Sequence, residues 1–530
     1  MLEYEVGDDR TRHRTVEARP RTTEVNMAYW AEPVIFVLVI LSFCSSAAFA
    51  QVQGDKRCEE TPLSNAKATL YEAGATVAHG APIKLAPGPH LFVDDYYIAS
   101  SKNVKRVVGV PQRDPAVPNP IITGKEDGCF QPYMTIIKDE SRGRFRMWLG
   151  CRTEDMNASR SHIGYIESAD GIHWERPVRI LPDPAPIQFG VSVIDEGPGY
   201  SRPEARFKFG WYMGGGLKIA TSPDGLAWTP LRPDPVLYHN HDITSIFYDN
   251  IRKRYMATVS VYREGGTWSG NRRITMQSYS PNLVDWCEPH YVLLPDASRD
   301  EGETQFYAMD GFLTRGELIV GMVKVLRDEV KVDNPPDPPD AYGMGYTELA
   351  WTRDGETWVR DPEPFFTPNP QKGTWDHAHA WVDDQVPVGE EVYLYYGGYA
   401  RGHKVNRFEE RQIGLLKMKR DRYVGRMASG GTGMIVTPLL LFGDGPARSK
   451  RAAPYLTVNA NARGGVLRVQ VSDGTGQPIP SFTFDDCIPV KEDALDAPVR
   501  WSQSLGAAQG KPVRLEFSLE NACLYGFSIE

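Results

Sequence analysis

Acidic residues stand just ahead of short apolar strands at four places in a turn-rich chain. Asp127 precedes FQPYMTII, Asp242 precedes ITSIFYD, Glu303 precedes QFYAMDGF, and Asp376, with His377 and His379, precedes AWVDD. A carboxyl group so placed can hold or release a proton, and two of them can act on one bond. Glycosidic cleavage uses such a pair. One carboxylic acid protonates the leaving oxygen and a second carboxylate activates water or attacks the sugar, at ~5–5.5 Å for retention and ~6.5–9.5 Å for inversion. The acid must keep its proton near neutral pH, through burial or a neighbouring negative charge. Glu303, with Glu301 close by and Phe306 and Tyr307 beside it, suits that role. Asp242, flanked by His239 and His241, suits the base or an orienting carboxylate. Trp375 and Tyr307 offer apolar faces to a sugar ring, although Trp375 equally suits packing between sheets.

The histidines at HNHD (239–242) and DHAH (376–379) are spaced i, i+2, which puts them on one face of a strand. Such pairs are half a metal site each, or hydrogen-bond partners that orient carboxylates. The inventory requires no cofactor and names no metal ligands, while an acidic channel is compatible with Ca2+. The chain has no G-x-S-x-G elbow, no H-E-x-x-H and no phosphate loop, which removes the commoner hydrolase chemistries.

The elements that position these residues repeat. IGYIESADGIHW (163–174), LKIATSPDGLAW (217–228), ITMQSYSPNLVDW (274–286), ELAWTRDGETW (348–358) and IGLLKMKRDRYV (413–424) each read strand, polar turn, aromatic. Two further strands precede each line, enough for one antiparallel sheet per repeat. The pattern predicts an all-β fold, a five-bladed β-propeller followed by a small C-terminal β-sandwich. The Asp-Gly turns suit tight reversals because glycine accepts positive φ. The tryptophans that follow, Trp174, Trp228, Trp286 and Trp358, are predicted to pack between blades. HLFVDDYYIA (90–99) reads as a strand interrupted by Asp94 and Asp95, which lie at an exposed edge or point into a polar site. The proline-rich VDNPPDPPD (332–340) is a surface loop.

The 530 residues divide into 1–50, a signal peptide with an extended N-terminus, 51–89 as a leader, 90–440 as the propeller and 441–530 as the sandwich. Residues 33–50, PVIFVLVILSFCSSAAFA, have an apolar run too short for a membrane span and end in a small-residue pattern at Ala50. Met27 is a candidate start. The expected product is secreted or periplasmic, with no stable membrane span after cleavage. Its six remaining cysteines leave Cys129 with Cys151 and Cys487 with Cys523 as open pairings. The formal charge of −9 is not segregated and excludes a nucleic-acid partner.

The strings LFVDDYYI, RFRMWLG, SADGIHW, HDITSIFYD, RRITMQSYSPNLVDW, ELAWTRDGETW, TWDHAHAW and YYGGYARGH resemble secreted bacterial proteins of the five-bladed propeller glycosidase superfamily. That superfamily holds the invertases, levansucrases, arabinanases and β-xylosidases of glycoside hydrolase families 32, 43 and 68. The resemblance covers most of residues 90–529. It implies three carboxylates from different blades, whose nearest counterparts here are Asp95 (or Asp94), Asp242 and Glu303. It also implies that His403 of YYGGYARGH lines the site. The W-M-N-D-P-N-G motif of invertases is absent, and Arg113-Asp114-Pro115 lies ahead of the first blade. The expected substrate is a polysaccharide or oligosaccharide, bound by Asp94, Asp127, Gln131, His241, Arg273, Tyr307, Trp375, Asp376, His377 and His403. Three rivals remain. One is a non-catalytic carbohydrate-binding propeller. The second is a sialidase-like enzyme, which requires Arg160, Arg273 and Arg401 to meet. The third is a glycoside phosphorylase, with arginines and histidines around the acid.

Overall fold

Strand, turn and aromatic recur because each repeat closes one sheet. The computed structural model describes residues 57–74, 80–265, 267–336, 341–443 and 454–530, which are nearly all β. The predicted export segment lies outside the described residues, as do 337–340 of the proline-rich loop. Among the described residues no helix is long and apolar enough to cross a membrane. The four-residue helix Gly124–Asp127 is capped by the Thr123 side chain and ends at Gly128, whose φ is 75°.

Five antiparallel units follow one another. The first strands are Cys129–Asp139, Phe189–Asp195, Thr244–Asp249, Gln305–Arg315 and His379–Val388, and each begins an antiparallel run of three or more strands, the last two runs being joined in one sheet. The fourth and fifth units touch through a single parallel bridge between Gly345 and His379. Each first strand packs against the first strand of the next unit, and the fifth returns to the first. The arrangement is propeller-like. Chain from ahead of the first sheet closes the outer edge of the fifth, through bridges of Gln112 with Lys417 and Ile122 with Ile413.

The turns share one hydrogen-bond design. Ser168, Ser222, Ser280 and Thr352 each accept a backbone N–H three residues on, and Asp170, Asp224, Asn282 and Asp354 each accept the two N–H groups that follow. Gly171, Gly225 and Gly355 take φ of 77°, 78° and 74° at the reversal, and Leu283 takes 68° in the third turn. A side chain in that left-handed region is strained, so the third turn relies more on Asn282. The tryptophans behind the turns are buried. Trp174 meets Tyr395 of the fifth sheet, and Trp358 donates to Gln277 of the third at 2.7 Å. Trp228 instead packs on Phe209 of its own sheet.

The sandwich recruits more of the chain than the boundary at 440 allows. His90–Leu91 pairs with Cys523–Ile529, Val104–Val108 with Val424–Ala428, and Ser100–Lys102 with Gly433–Val436. Residues 90–108 and 424–436 therefore build its two sheets, and Phe92 and Tyr97 enter its core. The predicted strand at 90–99 survives only at His90–Leu91. Within the leader, Ala68–Leu70 pairs in parallel with Trp358–Arg360, and Ile83–Lys84 with Leu440–Leu441. No disulfide joins the six described cysteines, although Cys129 and Cys151 are paired in register on neighbouring strands.

Candidate functional site

A cavity of about 360 Å³ opens at the start of the first strands, within the range of small-molecule sites. Every unit contributes: Gln131 from the first, Tyr212 from the second, Asp242 and Arg273 from the third, Tyr307 from the fourth and His403 from the fifth. Six of the sequence-predicted residues thus converge, namely Gln131, His241, Asp242, Arg273, Tyr307 and His403.

Asp242 is the only carboxylate among the cavity-lining residues. Burial pushes its carboxyl up, but His241, Arg273 and His403 outweigh this and hold it down at about 2. It is ionised at neutral pH. His241 Nε2 lies 2.9 Å from Asp242 Oδ1 and 3.2 Å from Arg273 Nε. That nitrogen can donate to the carboxylate or accept from the guanidinium, and one proton decides between them. His241 Nδ1 and Gln131 Oε1 are buried without partners among the described residues, so the site holds polar capacity that these residues leave unused.

Behind the cavity stands Asp328, which the sequence reading passed over. It accepts from Arg273 at 2.9 Å and from His403 Nδ1 at 3.0 Å. Burial pushes the Asp328 carboxyl up, but His403 and Arg273 prevail and hold it well below the usual carboxylate range. His403 is pushed down to about 4 by burial, against the pull of Asp328, so its ring is neutral, donates from Nδ1 and leaves Nε2 as an acceptor. Tyr307 stacks on Trp381 at 4.8 Å and turns its edge to His241 and His403. Packing thereby fixes both imidazoles.

The other predicted residues serve elsewhere. Glu303 is more than half exposed, 3.7 Å from Arg272, and its backbone N–H donates to Glu329. Arg272 and Arg273 are consecutive in one strand and point to opposite faces. Gln305 is the residue that meets Arg273, at 2.6 Å. Asp95 accepts from Gly74 and Tyr71 and pairs with Arg426 at 3.0 Å, and Asp94 accepts from Trp351 and Arg353. Asp94 thus fastens the sandwich to the fourth unit, and Asp95 ties it to the leader. Asp127 holds the Thr123 N–H and Arg176. Asp376 is buried against Arg113 and Tyr396, His377 faces the Asn369 carbonyl, and Trp375 covers Tyr396. None of these lines the cavity. Of the sialidase-like trio only Arg273 lines the cavity, while Arg401 is paired with Glu410 and Arg160 is exposed. His239 bonds the Ser260 carbonyl, and among the described residues no three His, Cys, Asp or Glu side chains are grouped as a metal site.

Sequence reasoning missed Lys404, Arg407 and Arg411, all on the loop after YYGGYARGH. The one available signal was four basic residues within eleven positions, from Arg401 to Arg411.

No family model and no curated protein matches the chain. Among solved structures it is similar to a glycosyl hydrolase from Bacteroides ovatus, at 15% identity over 60% of this chain and 95% of that one, TM-score 0.40. It is also similar to a β-1,2-mannobiose phosphorylase from Listeria innocua, at 13% over 60% and 97%, TM-score 0.37. A GH32 β-fructofuranosidase from Bombyx mori matches at 10% over 73% and 88%, TM-score 0.35.

Proposed function

We propose that this protein is an exported five-bladed propeller enzyme that cleaves glycosidic bonds of a polysaccharide or oligosaccharide, with Asp242 as its central carboxylate. The observation that carries the reading is the cavity at the start of the first strands, where five units each place a polar or aromatic side chain around one buried, ionised carboxylate. The closed succession of first strands supports five blades. Tyr212, Tyr262 and Tyr307 give the cavity an aromatic lining, and Gln131, His241 and His403 supply directional hydrogen bonds. In this reading Asp242 and His241 share the proton that is moved, and Arg273 and His403 set where it rests.

One observation favours a second reading, a carbohydrate-binding propeller without catalysis. Asp242 and Asp328 are both held in the ionised form, and neither is poised as a proton donor. A glycan panel separates the two. Release of sugar that Asp242→Asn abolishes while the melting temperature is kept supports the enzyme. Binding without release across the panel supports the binding module, and release that survives Asp242→Asn removes Asp242 from the centre.

A further inference from the structure

The cavity carries four fixed cations, Arg273, Lys404, Arg407 and Arg411, against the single carboxylate of Asp242. Arg273 has its counter-charge in Asp328. The other three have no carboxylate within 4.0 Å among the described residues, and Asp242 attracts Arg411 only from beyond that distance. For Arg411 this is costly, because its side chain is almost fully buried. It donates only to the carbonyls of Phe130 and His403, at 3.3 and 3.1 Å, and its Nε has no partner. The chain does otherwise elsewhere. Arg146, Arg272, Arg273, Arg360, Arg422 and Arg426 are the other buried arginines described, and each has a carboxylate within 4.0 Å.

Arg407 compounds the imbalance. It is half-buried, makes no hydrogen bond or ion pair with a described residue, and lines the same cavity. Burial and then the charge of Arg411 push its guanidinium pKa down. Two like charges drawn into one partly desolvated pocket raise the energy of the empty site, and an uncompensated buried charge is among the costlier features a fold can keep. A ligand that brings negative charge relieves the cost. Guanidinium forks match the oxygens of carboxylate and phosphate groups, which makes oxyanions the fitting class.

Resting on the reading that this cavity is the ligand site, we propose that Arg407 and Arg411, with Lys404 at the rim, form an oxyanion subsite beside Asp242. It takes either the carboxylate of an acidic sugar or a free inorganic phosphate. Placing an anion there also weakens the positive field that keeps Asp242 ionised, so anion binding and protonation of Asp242 are linked.

The test is calorimetric titration of the full chain with inorganic phosphate, glucuronate, galacturonate and, as the neutral control, glucose. Wild type is compared with Arg407→Met, whose half-exposed position spares the fold, and with Arg411→Lys. The expected result is that at least one anion binds and glucose binds about tenfold more weakly or not at all. Arg407→Met should weaken the anion about tenfold with an unchanged melting temperature. Phosphate binding without uronate binding assigns the subsite to free phosphate, and the converse assigns it to a sugar carboxylate. No anion binding, or anion binding indifferent to Arg407→Met, overturns the proposal. Asp242-dependent cleavage of neutral glycans without any anion effect would leave the proposed function standing and this inference refuted. Anion binding without cleavage of any glycan would do the reverse.

Discussion

The same five first strands build two charged regions, and the contrast between them separates a fastening from a site. Further along these strands lies a larger cavity of about 550 Å³, lined in part by Asp310, Asp383 and Asp384. Its charges are answered from within. Lys324, on the second strand of the fourth unit, pairs with Asp310 at 2.7 Å and also with Asp383. Asp383 accepts the Met134 N–H at 2.5 Å, and Asp384 accepts the Ile136 N–H at 2.6 Å. These bonds join the fifth unit to the first, where a ring of sheets must close. At the strand starts, Arg407 and Arg411 have no such partners and Asp242 stands in excess positive charge. The larger cavity places a cation among its carboxylates, whereas the smaller one leaves Arg407 and Arg411 without a carboxylate in contact among the described residues.

Replacing Asp242 by Asn tests the contrast most severely. If the smaller cavity is the active site, kcat/KM on the responsive glycan falls by about 10²–10⁴, the usual worth of a positioned acid or base, while the melting temperature holds. Lys324→Met should have the opposite profile. It leaves three buried carboxylates around an apolar side chain and should cost about 3–5 kcal/mol in denaturant unfolding, with ligand affinity unchanged in the molecules that remain folded. A loss of affinity with intact stability would mean that the larger cavity is the site after all.

The two regions also answer to pH with opposite signs. Burial pushes His403 down to about 4, and it does the same at His290, with His90 and His239 at about 3. The unfolded chain takes up protons on these rings below about pH 6.5, before the folded chain does. Their contribution to stability is therefore lost as pH falls from about 6.5 towards 4. Asp384 behaves conversely, because burial raises its carboxyl to about 7. The folded chain keeps that proton longer than the unfolded chain, so its contribution is present at low pH and lost as pH rises through about 7. Between about pH 7 and 4 the two contributions oppose each other, so the fall in melting temperature on acidification through that range should be steeper in Asp384→Asn than in wild type. The smallest effect is expected from Glu303→Gln, which should change kcat/KM by less than about twofold because surface pairs contribute little. A large loss would return Glu303 to the site.

What was legible follows from periodicity. Asp242, Gln131 and Tyr307 lie at the heads of first strands, and a residue's place along a repeated strand is a local property. Glu303 misled for the same reason: its position in the repeat is right, but Arg272 rather than Arg273 meets it. Asp94 and Asp95 looked like site carboxylates because two acids in an apolar strand demand partners. Those partners, Arg353 and Arg426, lie more than 250 residues away in sequence. No local pattern announces that.

The sequence by itself determined the strand repeat, the Asp-Gly reversals and the tryptophans behind them, because each rests on contacts between residues a few positions apart. It also placed carboxylates and histidines just ahead of the first strands. The tertiary structure alone decided which of them share a cavity, that residues 90–108 return to the C-terminal sheets, and that the loop carrying Lys404, Arg407 and Arg411 lines the cavity beside Asp242. Those outcomes depend on how sheets and loops pack across hundreds of residues, and on where a buried charge finds, or fails to find, its counter-charge.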